Sequence, residues 1–332
     1  MLHGLGGVVV GSTLPAIAMP KIRPLAIAAV PTIVTADFVP DSARTIALCQ
    51  TLLRCGCDGI NLLGTTGEAF SLTTPQRAEL MRAVAAASFD LSGFFVGIGT
   101  SSLADSRTLS ALGEQLGFGR LLVMPPYYYK GLTDEDLVRF FEHLLAGLKR
   151  ATTKLYLYHF PRMSGVAFTV RSVKRLRSAF GDRICGMKDS AGDLDMDREL
   201  AATLAGFEVF PSDEATLADA THSGYAGSIS ASLNITAPLL RGSTGELPAP
   251  DASAWKVAAA VRSVLTRNQT VANIKAVLAN LLADPTLAEV IPPLNPLDPA
   301  AARELNEEIS ATGARPRLES MAATWHIARQ LK

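Results

Sequence analysis

The chain of 332 residues is poor in charged residues, aromatic residues and cysteine. Charged residues make up 19% of it, and 31 basic residues balance 31 acidic ones, so the formal net charge is zero. A neutral chain has little electrostatic attraction for a phosphate backbone, which argues against a nucleic acid partner. No apolar run approaches the length of a membrane span, so we expect no membrane partner.

The cysteines and histidines are too few and too scattered to form a recognisable metal site. There are four cysteines and five histidines, and Cys55 and Cys57 lie closer together than a usual zinc-binding pair. No second pair with flanking histidines follows, so the sequence predicts no metal site. Small buried thiols in a reducing compartment account for the cysteines, and we expect a cytoplasmic protein.

Hydrophobic residues make up 48% of the chain, enough for a large core. Short apolar runs alternate with helical patterns as far as residue 245. The eight runs are Ala26–Ile33, Gly59–Leu63, Phe94–Ile98, Arg120–Met124, Lys154–Tyr158, Ile184–Lys188, Phe207–Phe210 and Ala226–Ser230. Each is followed by a candidate helix, and eight βα units with short links favour an α/β fold, a closed (β/α)8 TIM barrel rather than an open sheet.

The segments on either side of the predicted barrel have a different character. Residues 1–24 lack the basic start of a signal peptide and contain three prolines, so we interpret them as an N-terminal extension. Residues 25–245 form the predicted barrel, and residues 246–332 form a predicted C-terminal helical subdomain. Its helices are expected at Ala252–Thr266, Thr270–Ala283, Pro299–Ile309 and Leu318–Leu331.

Lys188 ends the sixth apolar run, where a buried strand is expected to finish. Apolar surroundings disfavour a charged amine, and a neutral lysine amine attacks carbonyl groups to form Schiff bases. The alternative is a lysine that simply reaches solvent at a strand end. The other strand ends favour the reactive interpretation, because the active site of a TIM barrel lies at the carboxyl ends of its strands.

Two loops at these strand ends carry groups that bind anions or move protons. Gly64–Glu68 follows the second run, and its glycines allow backbone N–H groups and two threonine hydroxyls to converge on a carboxylate. An ordinary turn with threonine caps is the alternative. Tyr127, Tyr128 and Tyr129 follow the fourth run, and each phenol would need a polar partner if it were buried.

Four motifs at successive strand ends resemble one family, the pyruvate-dependent class I aldolases typified by dihydrodipicolinate synthase and N-acetylneuraminate lyase. The motifs are Gly64–Glu68 (GTTGE), Tyr158–Pro161 (YNxP, with His159 in place of Asn), Gly186–Ser190 around Lys188, and Gly224–Ser230 followed by Asn234. The resemblance spans about residues 25 to 290. It implies a Schiff-base enzyme that requires neither a metal nor an organic cofactor.

The resemblance also implies catalytic roles. Lys188 forms the Schiff base with pyruvate or a pyruvate-derived 2-keto acid, and Tyr158 is the general acid and base. Thr65 passes protons between Tyr158 and a second tyrosine that reaches across a subunit interface. Tyr128 is the expected second tyrosine and Tyr127 is the alternative. The catalytic set therefore requires a homodimer or a homotetramer.

The residues implied to bind substrate are Gly64, Thr66, Ile229, Met163, Asp213 and Glu214. The first two lie at the pyruvate carboxylate, and Ile229 lines the pyruvyl pocket. Met163 stands where dihydrodipicolinate synthases carry an arginine for the acceptor's carboxylate, and methionine cannot make that contact. Asp213 and Glu214 resemble the acidic pair that binds the polyol tail of lyase substrates.

Together these features predict reversible aldol cleavage of a hydroxylated 2-keto acid to pyruvate and an aldehyde. Condensation of pyruvate with aspartate semialdehyde, the 4-hydroxy-tetrahydrodipicolinate synthase reaction, is an alternative, because Thr65 follows the synthase form of its motif. A 2-keto-acid dehydratase and a non-enzymatic keto-acid-binding sensor are further alternatives. The complete set of Lys188, Tyr158 and Thr65 argues against the sensor, since binding alone does not need it.

Overall fold

The computed structural model describes residues 23–150, 152–241, 247 and 252–330. In this part of the chain, eight parallel strands lie in the order β7-β6-β5-β4-β3-β2-β1-β8. The strands are β1 Leu25–Ala29, β2 Gly59–Leu62, β3 Phe94–Gly97, β4 Arg120–Val123, β5 Lys154–His159, β6 Ile184–Asp189, β7 Glu208–Pro211 and β8 Gly227–Ser230. The Ala226 N–H donates to the Val209 carbonyl at 3.0 Å, which brings β8 against β7. The strands thus form a nearly closed barrel, and the predicted fold class is confirmed.

Helices connect the strands and pack against their outer faces. In the barrel part of the chain these helices are α1 Ser42–Arg54, α2 Thr74–Ala86, α3 Leu103–Leu116, α4 Asp134–Leu145, α5 Pro161–Ser164, α6 Val170–Phe180, α7 Leu194–Thr203, α8 Ala220–Ser223 and α9 Leu233–Arg241. Thr73 and Gln76 form a reciprocal capping box at the start of α2, and Thr133 and Asp136 form another at α4. These caps fix the ends of the loops that follow β2 and β4.

A layer of helices follows the barrel, as predicted. Its longer members are α10 Ser253–Leu265, α11 Thr270–Leu281, α12 Pro299–Ala311 and α13 Arg315–Gln330. Helix α13 packs against α1 and α9, and α10 and α11 also pack against α9. The boundary at residues 245 and 246, and residues 1–22 of the extension, lie outside the described residues, so the division into domains stays a prediction.

Several element boundaries differ from the predicted ones for local reasons. Strand β1 ends at Ala29 rather than Ile33, because Pro31 has no N–H to donate to a neighbouring strand. Strands β5 and β6 each extend one residue further, to a paired His159 and Asp189. Helix α9 follows the eighth strand, as the pattern predicted, and it continues through Pro238.

Side chains alternate between the barrel interior and the surrounding helices. Inside, the fully buried rings of Phe95, Tyr156 and Phe210 meet edge to face, with centroids 4.9 to 6.1 Å apart. Burying one side chain of this size stabilises the fold by about 1.5–3 kcal/mol. The interior is therefore a packed core, and Tyr158 lies two residues beyond Tyr156 on the same face of β5, toward the carboxyl end.

Candidate active site

Lys188 and Tyr158 lie side by side at the carboxyl ends of β6 and β5. The two residues are paired in the parallel ladder. The Lys188 Nζ lies 4.5 Å from the centroid of the Tyr158 ring, and the residues are only 3% and 4% exposed. This arrangement sets an amine that can act as a nucleophile beside a phenol that can donate or accept a proton.

A third polar side chain reaches this pair from the loop after β2. The Thr65 hydroxyl oxygen lies 3.1 Å from the Tyr158 phenol oxygen, and either group can be the donor. Lys188, Tyr158 and Thr65 thus come together from three different strand ends, where the sequence motifs predicted them. A hydroxyl hydrogen-bonded to a phenol provides a short path for a proton.

The backbone of the loop after β2 is strained at both ends. Leu63 and Glu68 have φ values of 54° and 51°, in the left-handed region that is costly for residues other than glycine. Within the loop, the Glu68 N–H donates to the Thr65 carbonyl at 3.0 Å. The Thr32 hydroxyl donates to the Gly67 carbonyl at 2.7 Å. These contacts fix the backbone of the loop on both sides of Thr66.

The space beneath this loop is crowded and polar. A Cβ added to Gly64 would lie 2.7 Å from the Asn61 amide nitrogen. Thr66, two residues further along the loop, is also buried. Asn61 is fully buried on β2, and both of its amide atoms lack a hydrogen-bond partner among the described residues. Buried polar atoms are normally satisfied, so Asn61 is available to a small ligand or to water. The motifs did not predict Asn61, although one polar residue inside the apolar run Gly59–Leu63 is a visible signal.

Ile229 completes the inner wall on the β8 side. It is fully buried in the same interior cluster as Tyr158 and Phe210. Asn234, which ends the last motif, donates through its side-chain amide to the carbonyls of Ala29 and Ala231, at 2.8 and 2.7 Å. That asparagine therefore ties the segment after β8 to the end of β1.

The tyrosine run lies at the rim of the barrel. Tyr128 and Tyr129 are 74% and 72% exposed and pack edge to face against each other. Tyr127 is half-buried and packs edge to face against Phe70, with ring centroids 5.2 Å apart. Lys130 braces the loop by donating to the Tyr127 carbonyl. Within one chain, the exposed Tyr128 thus stands apart from the buried pair of Lys188 and Tyr158.

Met163 also lies at the rim, on the short helix α5 that follows β5. Its side chain is 58% exposed, and Arg162 beside it is exposed as well. The position where a synthase grips the acceptor's carboxylate therefore presents an apolar thioether to solvent.

The outer faces of β5 and β6 carry a buried group of titratable side chains. His159 accepts the Phe168 N–H at 3.1 Å through Nδ1, and its Nε2 lies 3.9 Å from the Asp189 carboxylate. Burial lowers the pKa of His159. Asp197 on α7 is fully buried, and its carboxylate has no hydrogen-bond partner among the described residues. Desolvation, with help from Asp189 and Asp193, raises the pKa of Asp197 to about 8.

Asp213 and Glu214 follow β7 but have different surroundings. The Glu214 carboxylate is buried and accepts four side-chain hydrogen bonds. The donors are Ser230, Ser232, Thr236 and Arg262. The network lies on the outer face of β8, because Ser230 alternates with the inward-facing Ile229. The expected contact of Glu214 with a substrate hydroxyl does not fit this geometry, whereas Asp213 keeps a half-exposed carboxylate 3.3 Å from Arg262.

Comparison with known proteins identifies the family. The model of the Dihydrodipicolinate synthetase family matches residues 27–312, which is most of the chain. The chain belongs to this family.

Its relatives include lyases, aldolases and synthases. A protein of Chloroflexus aurantiacus named Uncharacterized DapA-like lyase is 32% identical over 176 residues, 53% of this chain and 58% of that protein. A 4-hydroxy-tetrahydrodipicolinate synthase of Kineococcus radiotolerans is 29% identical over 91% of this chain and 97% of its own length. YagE of Escherichia coli K12, named as a putative 2-dehydro-3-deoxy-D-gluconate aldolase, is 27% identical over 81% of this chain and 90% of its own length.

The solved structure of YagE in complex with pyruvate is also similar. It has a TM-score of 0.78 and 26% identity, covering 88% of this chain and 99% of the YagE chain. Membership of the dihydrodipicolinate synthetase family and these relatives make the chain an enzyme of the class I aldolase type, a pyruvate-dependent lyase or synthase.

The described part of the chain offers neither a metal centre nor a membrane span. Those residues contain no cluster of three or more histidine, cysteine or acidic side chains arranged to hold a metal ion. Among them, no helix combines the length and the apolar character needed to cross a bilayer.

Proposed function

We propose that this member of the dihydrodipicolinate synthetase family cleaves a hydroxylated 2-keto acid reversibly to pyruvate and an aldehyde. The observation that carries the proposal is the contact of the Lys188 Nζ with the Tyr158 ring, together with the 3.1 Å bond from Tyr158 to Thr65. The proposed catalytic residues are Lys188, Tyr158, Thr65 and, from a second copy, Tyr128.

The Lys188 amine adds to the C2 carbonyl of the keto acid, and water leaves as the imine forms. The protonated imine accepts the electron pair of the C3–C4 bond while the C4 hydroxyl gives its proton to Tyr158. An aldehyde departs, and the remaining enamine takes a proton at C3. Water then hydrolyses the imine and releases pyruvate from Lys188.

Tyr158 acts as the acid and base in these steps. A phenol is a weak base at neutral pH unless neighbouring groups share its proton. Thr65 is the first such neighbour, and a tyrosine from a partner subunit would be the second. Tyr128 is the better candidate because it projects from the rim, while Tyr127 packs on Phe70 of its own chain. This role implies that the enzyme works as a homodimer or a homotetramer.

The loop Gly64–Glu68 after β2, the threonine loop, would bind the pyruvate carboxylate. Gly64 lets the backbone approach that carboxylate closely. The hydroxyls of Thr65 and Thr66 would donate hydrogen bonds to its oxygens. Ile229 would line the methyl side of the pyruvyl group. Asn61 lies directly beneath Gly64 with both amide atoms unpaired among the described residues, which suits it to a polar atom of the same substrate.

The rim residues support a hydroxylated substrate over aspartate semialdehyde. Met163 provides no guanidinium for an acceptor carboxylate, and the half-exposed Asp213 can accept hydrogen bonds from hydroxyl groups. The name of YagE, a putative 2-dehydro-3-deoxy-D-gluconate aldolase, supports the same choice. The synthase reaction is the second candidate, favoured by the 29% identity to the Kineococcus synthase and by the exposed Arg162 next to Met163.

Borohydride trapping tests the proposal. Reduction in the presence of pyruvate should add a pyruvate-derived group to the peptide that contains Lys188, as read by mass spectrometry. Lys188→Ala should abolish both the adduct and turnover, whereas Lys154→Ala, at the exposed start of β5, should leave both intact. An unmodified Lys188, with activity retained in Lys188→Ala, rejects the proposal. A panel of 2-keto acids in the same assay then ranks the substrates.

A further inference from the structure

Lys275 and Glu68 form an ion pair that is enclosed by the protein. Their side chains are 0% and 1% exposed. The Lys275 ammonium donates to the Glu68 carboxylate and, at 2.6 Å, to the Glu289 carbonyl. The other Glu68 carboxylate oxygen accepts the Ile291 N–H at 2.6 Å. Burial lowers the pKa of Lys275, and the adjacent Glu68 carboxylate opposes that change.

This pair links two parts of the molecule that are distant in sequence. Lys275 lies on α11, in the helical layer that follows the barrel. Glu68 is the last residue of the loop that carries Thr65 and Thr66, 207 positions earlier. Helix α11 is thus bonded directly to the threonine loop of the candidate active site.

The threonine loop needs such a restraint because its backbone is strained. Glu68 adopts a left-handed conformation with φ at 51°, and Leu63 does the same at 54° at the other end. Strained conformations of this kind persist only where the surroundings over-determine them. The N–H of Glu68 bonds to Thr65, and its carboxylate bonds to Lys275 and Ile291. Glu68 is therefore both a strained residue of the loop and the residue that these hydrogen bonds hold in place.

A gain in folding stability does not by itself explain why Lys275 and Glu68 are charged at this buried position. Removing two ions from water offsets most of their attraction, and apolar side chains of similar volume are often equally stable. Hydrogen-bonded charges differ from apolar contacts in fixing direction and distance. Glu68 is fixed on two sides in this way, by the Lys275 ammonium and the Ile291 N–H.

We propose that Lys275 is a positioning residue for the reaction. Through Glu68 it holds the threonine loop so that the Thr65 hydroxyl stays 3.1 Å from the Tyr158 phenol and Thr66 stays at the pyruvate carboxylate. The inference rests on the proposed function of that loop. Helix α11 then sets the geometry of the site without touching substrate.

Lys275→Met, which removes the charge and keeps the chain length, tests the proposal. We expect kcat to fall about 10-fold and KM for pyruvate to rise at least about 5-fold, because both the relay and the carboxylate site move. Partial unfolding would lower the apparent kcat and leave KM unchanged, so KM separates positioning from stability. Borohydride trapping at saturating pyruvate measures the fraction of subunits that can form the imine. Dividing the observed rate by this fraction gives kcat per working site.

Asp284→Asn is the matched control, because Asp284 is a buried carboxylate that pairs with Arg44 and Arg329 away from the loop. It should lower Tm to a similar extent without changing KM. If Lys275→Met does not fold, the milder Glu68→Gln provides the same comparison. A variant of the pair that behaves like the control, with KM unchanged, overturns the proposal. Failure of the wild type to trap pyruvate at Lys188 rejects the proposed function instead.

Discussion

The Thr65 hydroxyl and the Tyr158 phenol, 93 positions apart in sequence, lie 3.1 Å apart at the mouth of the barrel. This hydrogen bond connects the strained loop after β2 to strand β5, where Tyr158 lies beside Lys188. Because either oxygen can be the donor, the pair can carry a proton in both directions, as a reversible aldol reaction requires.

Removing either hydroxyl should slow turnover while the imine still forms. Tyr158→Phe should lower kcat about 100-fold or more, the usual cost of losing a positioned acid and base. Thr65→Val should lower kcat about 10- to 100-fold, and Thr65→Ser should recover most of it because the hydroxyl returns. Steady-state rates and borohydride trapping should be measured on the same samples. A Thr65→Val enzyme with normal kcat contradicts the relay.

The role of Tyr128 can be tested by mixing one impaired and one inactive variant. Tyr128→Phe should lower kcat about 10-fold or more, while Lys188→Ala should be inactive. In a mixed dimer, one site combines an intact Lys188 with an intact Tyr128 from the partner, so activity should reappear after subunit exchange. Tyr127→Phe is the matched control. A fully active monomer in sedimentation at assay concentration, or no recovery on mixing, contradicts a shared tyrosine.

Met163→Arg should shift the enzyme toward aspartate semialdehyde. A new charge-assisted contact is worth about 1.5–3 kcal/mol, which corresponds to about one to two decades in kcat/KM for that aldehyde. Cleavage of hydroxylated 2-keto acids should change little, and Met163→Leu is the neutral control. Both reactions should be compared as kcat/KM. If the wild type already prefers aspartate semialdehyde, the substrate assignment is wrong and Arg162 becomes the first residue to mutate.

Stability should fall as the pH rises through the titration of Asp197. The pKa of this buried carboxyl is raised to about 8, above its unfolded value, so the folded state binds the extra proton up to that pH. The free energy of unfolding should therefore decline as the pH rises from the unfolded pKa of about 4 toward about 8, by at most about 1.4 kcal/mol per pH unit for one proton, and level off above about pH 8.5. Denaturant unfolding at several pH values measures the slope.

Asp197→Asn is the control for this slope, because the amide resembles the protonated acid and does not titrate. Measurements between about pH 7 and 8, at the upper end of this range, lie above the titration of His159, whose pKa is lowered, and below that of Cys49, whose pKa is raised to about 12. Equal slopes in the wild type and in Asp197→Asn show that another group is responsible.

The barrel and the central triad could be predicted from the sequence because each strand carries its own signal. Apolar runs mark the strands, and the carboxyl ends of parallel strands meet at one face of a barrel, so Lys188, Tyr158 and Thr65 had to lie near each other. The position of Ile229 inside the barrel follows from the same alternation along β8.

Contacts made between layers could not be predicted in this way. Nothing local to Lys275 indicates a partner 207 positions away, apart from its place as a lone charge in an apolar helix. Asp213 and Glu214 are adjacent in sequence, but their carboxylates have different surroundings. Neighbouring residues at a strand end point to opposite sides, so adjacency did not predict this. Both carboxylates lie beside Arg262, but that of Asp213 reaches solvent and that of Glu214 is buried in the network.

The network of Glu214 and Arg262 has a consequence for redesign. It holds the end of β8 from outside the barrel, so replacing Arg262 would leave the buried Glu214 carboxylate without its cation and damage the fold. The exposed positions Tyr129 and Met163 carry no such burden, since surface substitutions change stability by about 0.5 kcal/mol or less. Mutant libraries aimed at new aldehydes should therefore vary these two positions together and leave the network fixed. Selectivity for the aldehyde can then diverge while the scaffold remains thermally intact.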